Sequence, residues 1–298
     1  MKFSAYDDIV HCTKTWTGER SADGRPRVSE NILRRMRSIT LEEAWGPLWN
    51  AGFKTQFQGG FKCSAPGEKL VGRAVTAVMV PKRPDLDETF MRYGIDEEGR
   101  HGFFNQWVID SLTEDDVVVV DLFDKVFEGT YVGGNLSTAI KSRTKRGGAV
   151  IWGGVRDLEQ IVKISGYQVF FRGNDPTGIG NVTMTGMNTP CRIGDAVCLP
   201  GDVVLGTISG VLFIPPQLAE KCVVGAEKSH IRDIFGFLRL SDRTYTTAQI
   251  DAPWTLPMWE DFLRWFEKAP ESSDYLHLNW DDELNGAKSF SDGTSVRL

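Results

Sequence analysis

The middle of the chain constrains the fold most strongly, because two continuous apolar runs there alternate with two helical patterns. Residues 116–121 and 149–152 contain unbroken runs of apolar residues, which are typical of strands covered on both faces. Residues 135–146 between them predict a helix with an apolar side and a basic side. A tight turn at Gly153-Gly154 is expected to lead into a further helix at residues 158–164. The pattern therefore predicts a β-α-β-α unit within an α/β fold.

The carboxyl ends of these two predicted strands carry a candidate site, since ligands of open α/β sheets bind at that edge. The amides of Gly134, Asn135 and Leu136 lie at the N-terminus of the predicted helix, which attracts a carboxylate or phosphate. Arg156 could grip such an anion, and Asp157 could hold a hard divalent metal that keeps most of its waters. Alternatively, Asp157 caps the next helix and Arg156 makes a surface ion pair.

The run from Gly134 to Asp157 resembles the signature of the RraA-like family. This family includes the divalent-metal class II pyruvate aldolases that cleave 4-hydroxy-4-methyl-2-oxoglutarate, and related oxaloacetate decarboxylases. The spacing between the glycine and the arginine of the signature matches without a gap. Residues 69–77 and 199–215 also resemble family segments, in the family's order, so the resemblance covers residues 30–240. Three ordered matches are far more specific than one glycine-rich turn.

The resemblance implies an α/β fold with mixed sheets, arranged as a swivelling β/β/α core. It also implies a homotrimer or a hexamer built from two trimers, with sites at subunit contacts. Under this interpretation, residues 1–28 form an N-terminal arm that packs on a neighbour or stays loose. Residues 29–241 form the family's catalytic domain, and residues 242–298 form an aromatic-rich, helical C-terminal extension.

The resemblance further implies a divalent-metal-dependent lyase that cleaves a carbon–carbon bond of a small 2-oxo acid, by aldol cleavage or by oxaloacetate decarboxylation. Asp157 is the implied ligand of Mg²⁺ or Mn²⁺. Arg156 and the backbone amides of Gly134, Asn135 and Leu136 would bind the substrate and stabilise the enolate that forms when the bond breaks. The implied catalytic residues are Arg156, Asp157 and Asn135, with a metal-bound water carrying the proton.

Several positions depart from the aldolase pattern. Asn135 stands where the aldolases carry an acidic residue, and an amide cannot act as a base. Gln160 also replaces an acidic residue, and Thr207, Ile208 and Ser209 occupy positions of the late hairpin that are often acidic. These differences predict a substrate other than that of the well-studied aldolases. Two alternatives therefore remain: a metal-dependent lyase or hydratase for another hydroxylated carbonyl compound, and a non-catalytic binding protein of the ribonuclease-regulator type.

Composition narrows the possible partners. A formal charge of −6 and a pI near 5.4 argue against a nucleic-acid-binding surface, which needs clustered lysine and arginine. No apolar run approaches membrane-spanning length, and the N-terminus lacks a secretory apolar region. Five scattered cysteines fit reduced thiols better than a disulfide framework. These features predict a cytoplasmic protein with a small-molecule anionic substrate and neither a nucleic-acid nor a membrane partner.

Capping and periodicity predict the remaining elements. Thr40 begins a capping box for a helix. Residues 172–190 are predicted to form a long irregular loop, and Arg172, Asn174 and Asp175 in it could approach the substrate. The other predicted elements are helices at 29–37, 102–111, 216–239 and 258–267, strands at 70–80 and 168–171, and a hairpin over 197–215.

Overall fold

The computed structural model describes residues 3–291, in which helices and strands alternate. The chain forms two compact units, and the boundary between Val223 and Val224 lies inside one helix. The division of the sequence at residues 28 and 241 stays a prediction of where the family domain begins and ends. Within residues 3–291, no helix is both long enough and apolar enough to cross a membrane. All five cysteines are free thiols.

The strands all belong to the first unit. They are β1 (Phe57–Gln58), β2 (Lys62–Cys63), β3 (Leu70–Pro81), β4 (Asp116–Val132), β5 (Ala149–Val155), β6 (Val169–Asn174), β7 (Val182–Met187), β8 (Cys191–Ile193), β9 (Ala196–Cys198), β10 (Val203–Thr207) and β11 (Gly210–Ile214). The helices are α1 (Tyr6–Cys12), α2 (Glu30–Met36), α3 (Leu41–Asn50), α4 (Pro84–Arg92), α5 (Phe104–Asp110), α6 (Gly134–Thr144), α7 (Leu158–Ile161), α8 (Ala219–Ser241), α9 (Thr247–Ile250), α10 (Leu256–Phe266) and α11 (Asp281–Ser291).

Within the described residues, nine strands form one mixed sheet. Its order is β1-β11-β10-β3-β4-β5-β6-β2, and β7 also pairs with β3. The β3–β4, β4–β5 and β5–β6 pairs are parallel, whereas the outer pairs are antiparallel. Strands β8 and β9 form a separate antiparallel pair. The predicted α/β fold with mixed sheets is confirmed.

The central strand β4 buries side chains on both faces of the sheet. Val118 and Val120 belong to the apolar cluster on one face, and Val117 and Val119 belong to the cluster on the other. All four valines are fully buried, and burying one such side chain stabilises the fold by about 1.5–3 kcal/mol. The unbroken apolar run therefore marks a covered strand, as predicted.

The predicted starts of two helices are confirmed by their caps. The hydroxyl of Ser29 accepts a hydrogen bond from the backbone of Ile32 at the start of α2. At the start of α3, Glu43 N–H donates to Thr40 Oγ1 at 3.2 Å, and Thr40 N–H donates to Glu43 Oε2 at 2.7 Å. This reciprocal pair is the capping box that the sequence predicts.

The predicted loose N-terminal arm is wrong for Phe3 and Arg25, which are buried against their own chain, while packing of this segment on a neighbour stays a prediction. Arg25 is 2% exposed and makes two hydrogen bonds with Asp116 at the start of β4, at 2.8 and 3.1 Å. Phe3 is buried against Phe90 and Trp107. A buried arginine requires such a charged partner, so this pairing anchors Arg25 at the start of β4.

The predicted turn at Gly153-Gly154 is wrong, because both glycines lie within β5. The second half of β4 is irregular and approaches them closely. A Cβ on Gly153 would lie 2.8 Å from Leu122 Cβ, and one on Gly154 would lie 3.0 Å from the carbonyl oxygen of Val126. These glycines therefore allow a close approach between strands and do not reverse the chain.

The predicted loop over residues 172–190 is also wrong, because β6 continues to Asn174 and β7 occupies residues 182–187. Strand β7 pairs with β3 in an antiparallel ladder and buries Val182 and Met184. Its two threonines and its glycine hid a strand pattern that becomes clear from the pairing with β3. The true connection covers residues 175–181.

The second unit contains a cluster of aromatic side chains. The predicted helical face on α10 is confirmed, since Trp259, Phe262 and Phe266 are all buried. They pack with Trp254 and Trp280 of the same unit. The aromatic face is thus covered within residues 224–291.

Candidate active site

The candidate site is a cleft of about 250 Å³ where β4 and β5 end beside the start of α6. The sequence-predicted residues Asn135, Leu136 and Arg156 line this cleft, while Gly134 and Asp157 lie directly beside it. The structure thus brings these five predicted residues together. The complete lining is Asn105, Thr130, Tyr131, Gly133, Asn135, Leu136, Arg156, Gly178 and Ile179.

Arg156 and Asp157 form the turn that leaves β5. The backbone N–H of Arg156 donates to the carbonyl oxygen of Val132 at 3.0 Å, which holds the turn against the end of β4. Asp157 adopts a left-handed conformation, with φ 52° and ψ 38°, which aspartate tolerates better than most residues. Although Asp157 precedes α7, its side chain makes no capping hydrogen bond. The alternative in which Asp157 serves as a helix cap is therefore not supported.

The side chains of Arg156 and Asp157 both lie over Gly133. A Cβ on Gly133 would overlap Asp157 Oδ2 and would lie 3.0 Å from Arg156 Cγ and Nε. Asp157 Oδ2 accepts a hydrogen bond from Gly134 N–H at 3.3 Å and lies 3.7 Å from Arg156 Nε. The glycine at position 133 is thus required for the carboxylate and the guanidinium to occupy these positions.

The N-terminus of α6 supplies a positive field to the same place. The first amides of a helix lack intrahelical acceptors, and Gly133 at the N-cap offers no side chain to satisfy them. The amides of Asn135 and Leu136 are therefore available to an anion, as the helix dipole favours. The side chain of Arg156 is 47% exposed, so it remains free to move toward a bound carboxylate.

The opposite wall comes from distant segments that the sequence analysis did not identify. Asn105 on α5 is buried and donates from Nδ2 to the carbonyl oxygen of Tyr131 at 2.8 Å. Thr130 Oγ1 donates to the carbonyl oxygen of Thr177 at 2.6 Å, which holds the connection carrying Ile179. The one available signal was a polar asparagine between the aromatic residues Phe104 and Trp107 of α5.

Two groups of predicted residues differ in their placement. The amide of Gln160 contacts Gly134, where an added Cβ would overlap Oε1, so Gln160 lies at the N-terminus of α6. Arg172, by contrast, pairs with Asp124 at 2.9 Å, and Asp175 accepts hydrogen bonds from Thr177. Neither of these two residues lines the cleft, and neither does Asn174 at the end of β6.

A divalent cation at this place would depend on Asp157. Within residues 3–291, no group of three or more histidine, cysteine or acidic side chains could form a protein cage for a metal. The carboxylate of Asp157 is 35% exposed, and its Oδ1 makes no hydrogen bond with the described residues. One open carboxylate oxygen fits Mg²⁺, which often binds through one or two carboxylates and keeps several waters. The donor set therefore suits a hydrated hard cation.

Comparison with known proteins connects this geometry to one family. A family model described as RraA-like, Aldolase/RraA, matches residues 38–213. Protein DlpA of Legionella pneumophila is 26% identical over 228 residues, which cover 72% of this chain and 34% of that protein. A Halalkalibacterium halodurans protein with the provisional name 4-hydroxy-4-methyl-2-oxoglutarate aldolase is 28% identical over 123 residues, covering 40% of this chain and 55% of that protein. The chain thus spans about a third and about half of these relatives.

Solved structures share the fold. Streptomyces coelicolor RraAS2, described as an unusual member of the RNase ES inhibitor RraA protein family, superposes with a TM-score of 0.61 at 22% identity. The match covers 72% of this chain and 100% of that chain. An uncharacterized protein from Pseudomonas syringae pv. tomato gives a TM-score of 0.62 at 19% identity, covering 79% of this chain and 98% of that chain. At such identities the likeness establishes the fold alone.

Proposed function

We propose that this chain, which belongs to the RraA-like family, is a divalent-metal-dependent lyase that cleaves a carbon–carbon bond of a small 2-oxo acid. The observation that carries the proposal is the placement of Arg156 and Asp157 over Gly133, beside the N-terminus of α6. This arrangement offers a positive site for a carboxylate next to an open carboxylate oxygen for a cation. A 2-oxo acid could use both features, because its carboxylate would bind the positive site and its ketone oxygen would bind the cation.

The substrate's carboxylate would bind to Arg156 and to the amides of Asn135 and Leu136. The planar guanidinium can donate two parallel hydrogen bonds to a carboxylate, which fixes its orientation. The same positive groups would stabilise the negative charge that develops as the bond breaks, because they are already in place. Substrate binding and charge stabilisation would thus share one set of residues.

Asp157 would hold Mg²⁺ or Mn²⁺ through Oδ1, since Oδ2 already accepts the hydrogen bond from Gly134. Arg156 and Gly134 would fix the orientation of this carboxylate from the other side. When bound, the cation supplies Lewis-acid polarisation of the substrate's ketone. Loss of Asp157 should therefore remove the metal dependence of the reaction and most of its rate.

Decarboxylation is the branch that the cleft supports more directly. Aldol cleavage needs a base to remove the proton of the substrate's hydroxyl group. Asn135 and Gln160 cannot accept that proton, the described lining contains no aspartate, glutamate or histidine, and the Asp157 carboxylate beside the cleft is already assigned to the cation in this proposal. Decarboxylation needs no base. The carbon–carbon bond to the departing carboxylate breaks, CO₂ leaves, and the electron pair of the broken bond forms the enolate. A proton from solvent then adds to the enolate carbon to give pyruvate from oxaloacetate.

Each of the two alternative functions is also favoured by one specific observation. The amides at positions 135 and 160 would also suit a lyase or hydratase for another hydroxylated carbonyl compound. The shared fold of RraAS2 supports a non-catalytic ribonuclease regulator. Assembly into a homotrimer or hexamer and a cytoplasmic location stay predictions. Light scattering coupled to size-exclusion chromatography would measure the assembly.

Pyruvate release tests the proposed reaction. Oxaloacetate and 4-hydroxy-2-oxo acids would be supplied with Mg²⁺, with Mn²⁺ or with EDTA, to the wild type and to Asp157→Ala. We expect metal-dependent release from oxaloacetate that falls at least about 100-fold in the variant, since metal polarisation typically contributes several kcal/mol. The matched control is Asp195→Ala, which removes an exposed carboxylate outside the cleft.

The outcomes separate the three functions. Release that needs metal and Asp157 supports the lyase. Metal binding through Asp157 without turnover of any 2-oxo acid would redirect the search to other hydroxylated carbonyl substrates. Equal, metal-independent background release by the wild type and both variants would contradict the lyase and favour the regulator.

A further inference from the structure

A second cavity of about 270 Å³ lies in the first unit and shares no lining residue with the cleft. We call it the Asp202 cavity, after the one acidic residue in its wall. Pockets for drug-sized molecules usually begin at about 300 Å³, so this cavity suits a smaller ligand. Its lining is Thr13, Thr15, Phe53, Gln56, Val197, Leu199, Asp202, Pro215, Pro216 and Gln217.

Asp202 is the unusual group of this wall, because a carboxyl is buried there without a countercharge. Asp202 is 2% exposed, and its Oδ2 accepts one hydrogen bond, from Leu199 N–H at 2.8 Å. Among the described residues, no lysine, arginine or histidine forms a salt bridge with Asp202. Buried carboxylates are normally paired or fully hydrogen-bonded, so this group lacks the partner that its charged form needs.

Gln56 and Thr13 are two further polar groups of the wall, and Gln56 leaves its side-chain oxygen unused as an acceptor. Gln56 Nε2 donates to the carbonyl oxygens of Val197 and Phe213, at 3.2 and 2.8 Å. Its Oε1 therefore remains as an acceptor. The hydroxyl proton of Thr13 is already donated to the carbonyl oxygen of Ile9 at 2.6 Å. The cavity thus offers acceptors at Asp202 and Gln56 beside the apolar side chains of Phe53, Leu199 and two prolines, and the exposed Thr15 and Gln217 complete its polar wall.

We propose that the Asp202 cavity binds a small organic ammonium ion. Its N–H groups would donate to the carboxylate of Asp202, and its short carbon chain would pack against the apolar walls. An ammonium ion supplies the positive charge that the described wall lacks, together with donors for Asp202 and for Gln56 Oε1. The site is separate from the cleft, so this inference does not depend on the proposed reaction.

The surroundings of Asp202 make binding sensitive to pH. Burial raises the pKa of Asp202 to about 7, which the Leu199 hydrogen bond only partly offsets. The neighbouring titratable groups are the thiols of Cys12 and Cys198, and burial raises the pKa of both. Nearby cations are engaged elsewhere: Arg20 donates to Thr13, and Arg25 pairs with Asp23 and Asp116. Asp202 is therefore the group whose charge changes near neutral pH.

Calorimetric titration with n-butylammonium chloride tests this site on the full chain. The ligand stays charged at pH 6 and pH 8, whereas the ionised fraction of Asp202 rises about tenfold between them. We expect about tenfold tighter binding at pH 8 than at pH 6. At pH 8, Asp202→Asn should bind at least about tenfold more weakly, because a hydrogen bond to a charged group typically exceeds that factor.

Controls keep the test decisive. Asp195→Asn makes the same charge change on an exposed turn and should bind like the wild type. Thr15→Trp fills the mouth of the cavity from an exposed position, leaves Asp202 in place, and should abolish binding. Equal binding by Asp202→Asn and the wild type, binding that does not change with pH, or no binding by the wild type would each overturn the proposal.

Discussion

Two aspartates of the same unit show how differently one residue type can be used. Asp157 lies at the end of β5, is 35% exposed and has an arginine within 3.7 Å. Asp202 lies between β9 and β10, is 2% exposed and has no cationic partner among the described residues. The first carboxylate can exchange its waters for a metal or a substrate. Burial raises the pKa of the second to about 7, so it ionises only near neutral pH.

The two carboxylates differ mainly in the chemical groups that surround them. The cleft combines Asp157 with Arg156, the N-terminus of α6 and the bare backbone of Gly133. The Asp202 cavity combines its carboxyl with apolar walls and spare acceptors. These surroundings are the reason that we propose an anion and a hydrated cation as ligands of the first site and an organic cation as the ligand of the second.

The largest effect on activity should follow from Gly133→Ala, which would disturb the positions of Asp157 and Arg156 in the cleft. The added Cβ would overlap Asp157 Oδ2 and press on Arg156, so both side chains must move. A displacement of about 1 Å in such a site can cost about 100-fold in rate, and we expect a loss of that size in metal-dependent pyruvate release.

The matched control for that substitution is Gly178→Ala, which also lines the cleft. A Cβ there meets no heavy atom within 4 Å, so its loss of activity should be under about fivefold. Circular dichroism would confirm that both variants fold. Equal losses in the two variants would mean that the position of Asp157 over Gly133 does not govern activity.

A smaller effect is expected from Asp202, on the pH dependence of the free energy of unfolding. Because the pKa of Asp202 is raised to about 7, the folded state holds more protons than the unfolded state between about pH 4 and pH 7. This group therefore lowers the free energy of unfolding as pH rises through that window, by at most about 1.4 kcal/mol per pH unit. Asp202→Asn lacks that titration, so its stability relative to the wild type should increase up to pH 7 and then level off.

Urea unfolding of the wild type and Asp202→Asn at a series of pH values between 4.5 and 8 would measure this difference. The Asn side chain can still accept the hydrogen bond from Leu199, so the comparison isolates the charge. Parallel curves for the two proteins would show that Asp202 titrates normally and that its environment is not as described.

Local physical rules in the sequence are sufficient to predict the elements that depend on near neighbours. The capping box at Thr40, the valines of β4 and the aromatic face of α10 all follow from spacings within a few residues. Arg156 and Asp157 could be identified because the run that contains them resembles the family signature, since the local pattern alone also allowed a helix cap and a surface ion pair. Their positions in the cleft agree with that prediction, and their roles await the experiments above.

Features that depend on distant contacts could not be predicted from the sequence. Gly153 and Gly154 suggest a turn until β4 is seen to approach them, and β7 becomes recognisable only beside β3. Asn105 and Ile179 reach the cleft from elements that are far apart in the chain. The Asp202 cavity likewise collects side chains from four separate segments, which no local pattern connects.

The most direct test of the central claim is a titration with Mn²⁺ followed by electron paramagnetic resonance. It would be carried out on the wild type, Asp157→Asn and Asp202→Asn. The account predicts that the wild type and Asp202→Asn bind Mn²⁺ equally, while Asp157→Asn binds it at least about tenfold more weakly, because the amide is a neutral ligand. Equal Mn²⁺ affinity in Asp157→Asn and the wild type would contradict the assignment of Asp157 as the metal-holding group of the cleft.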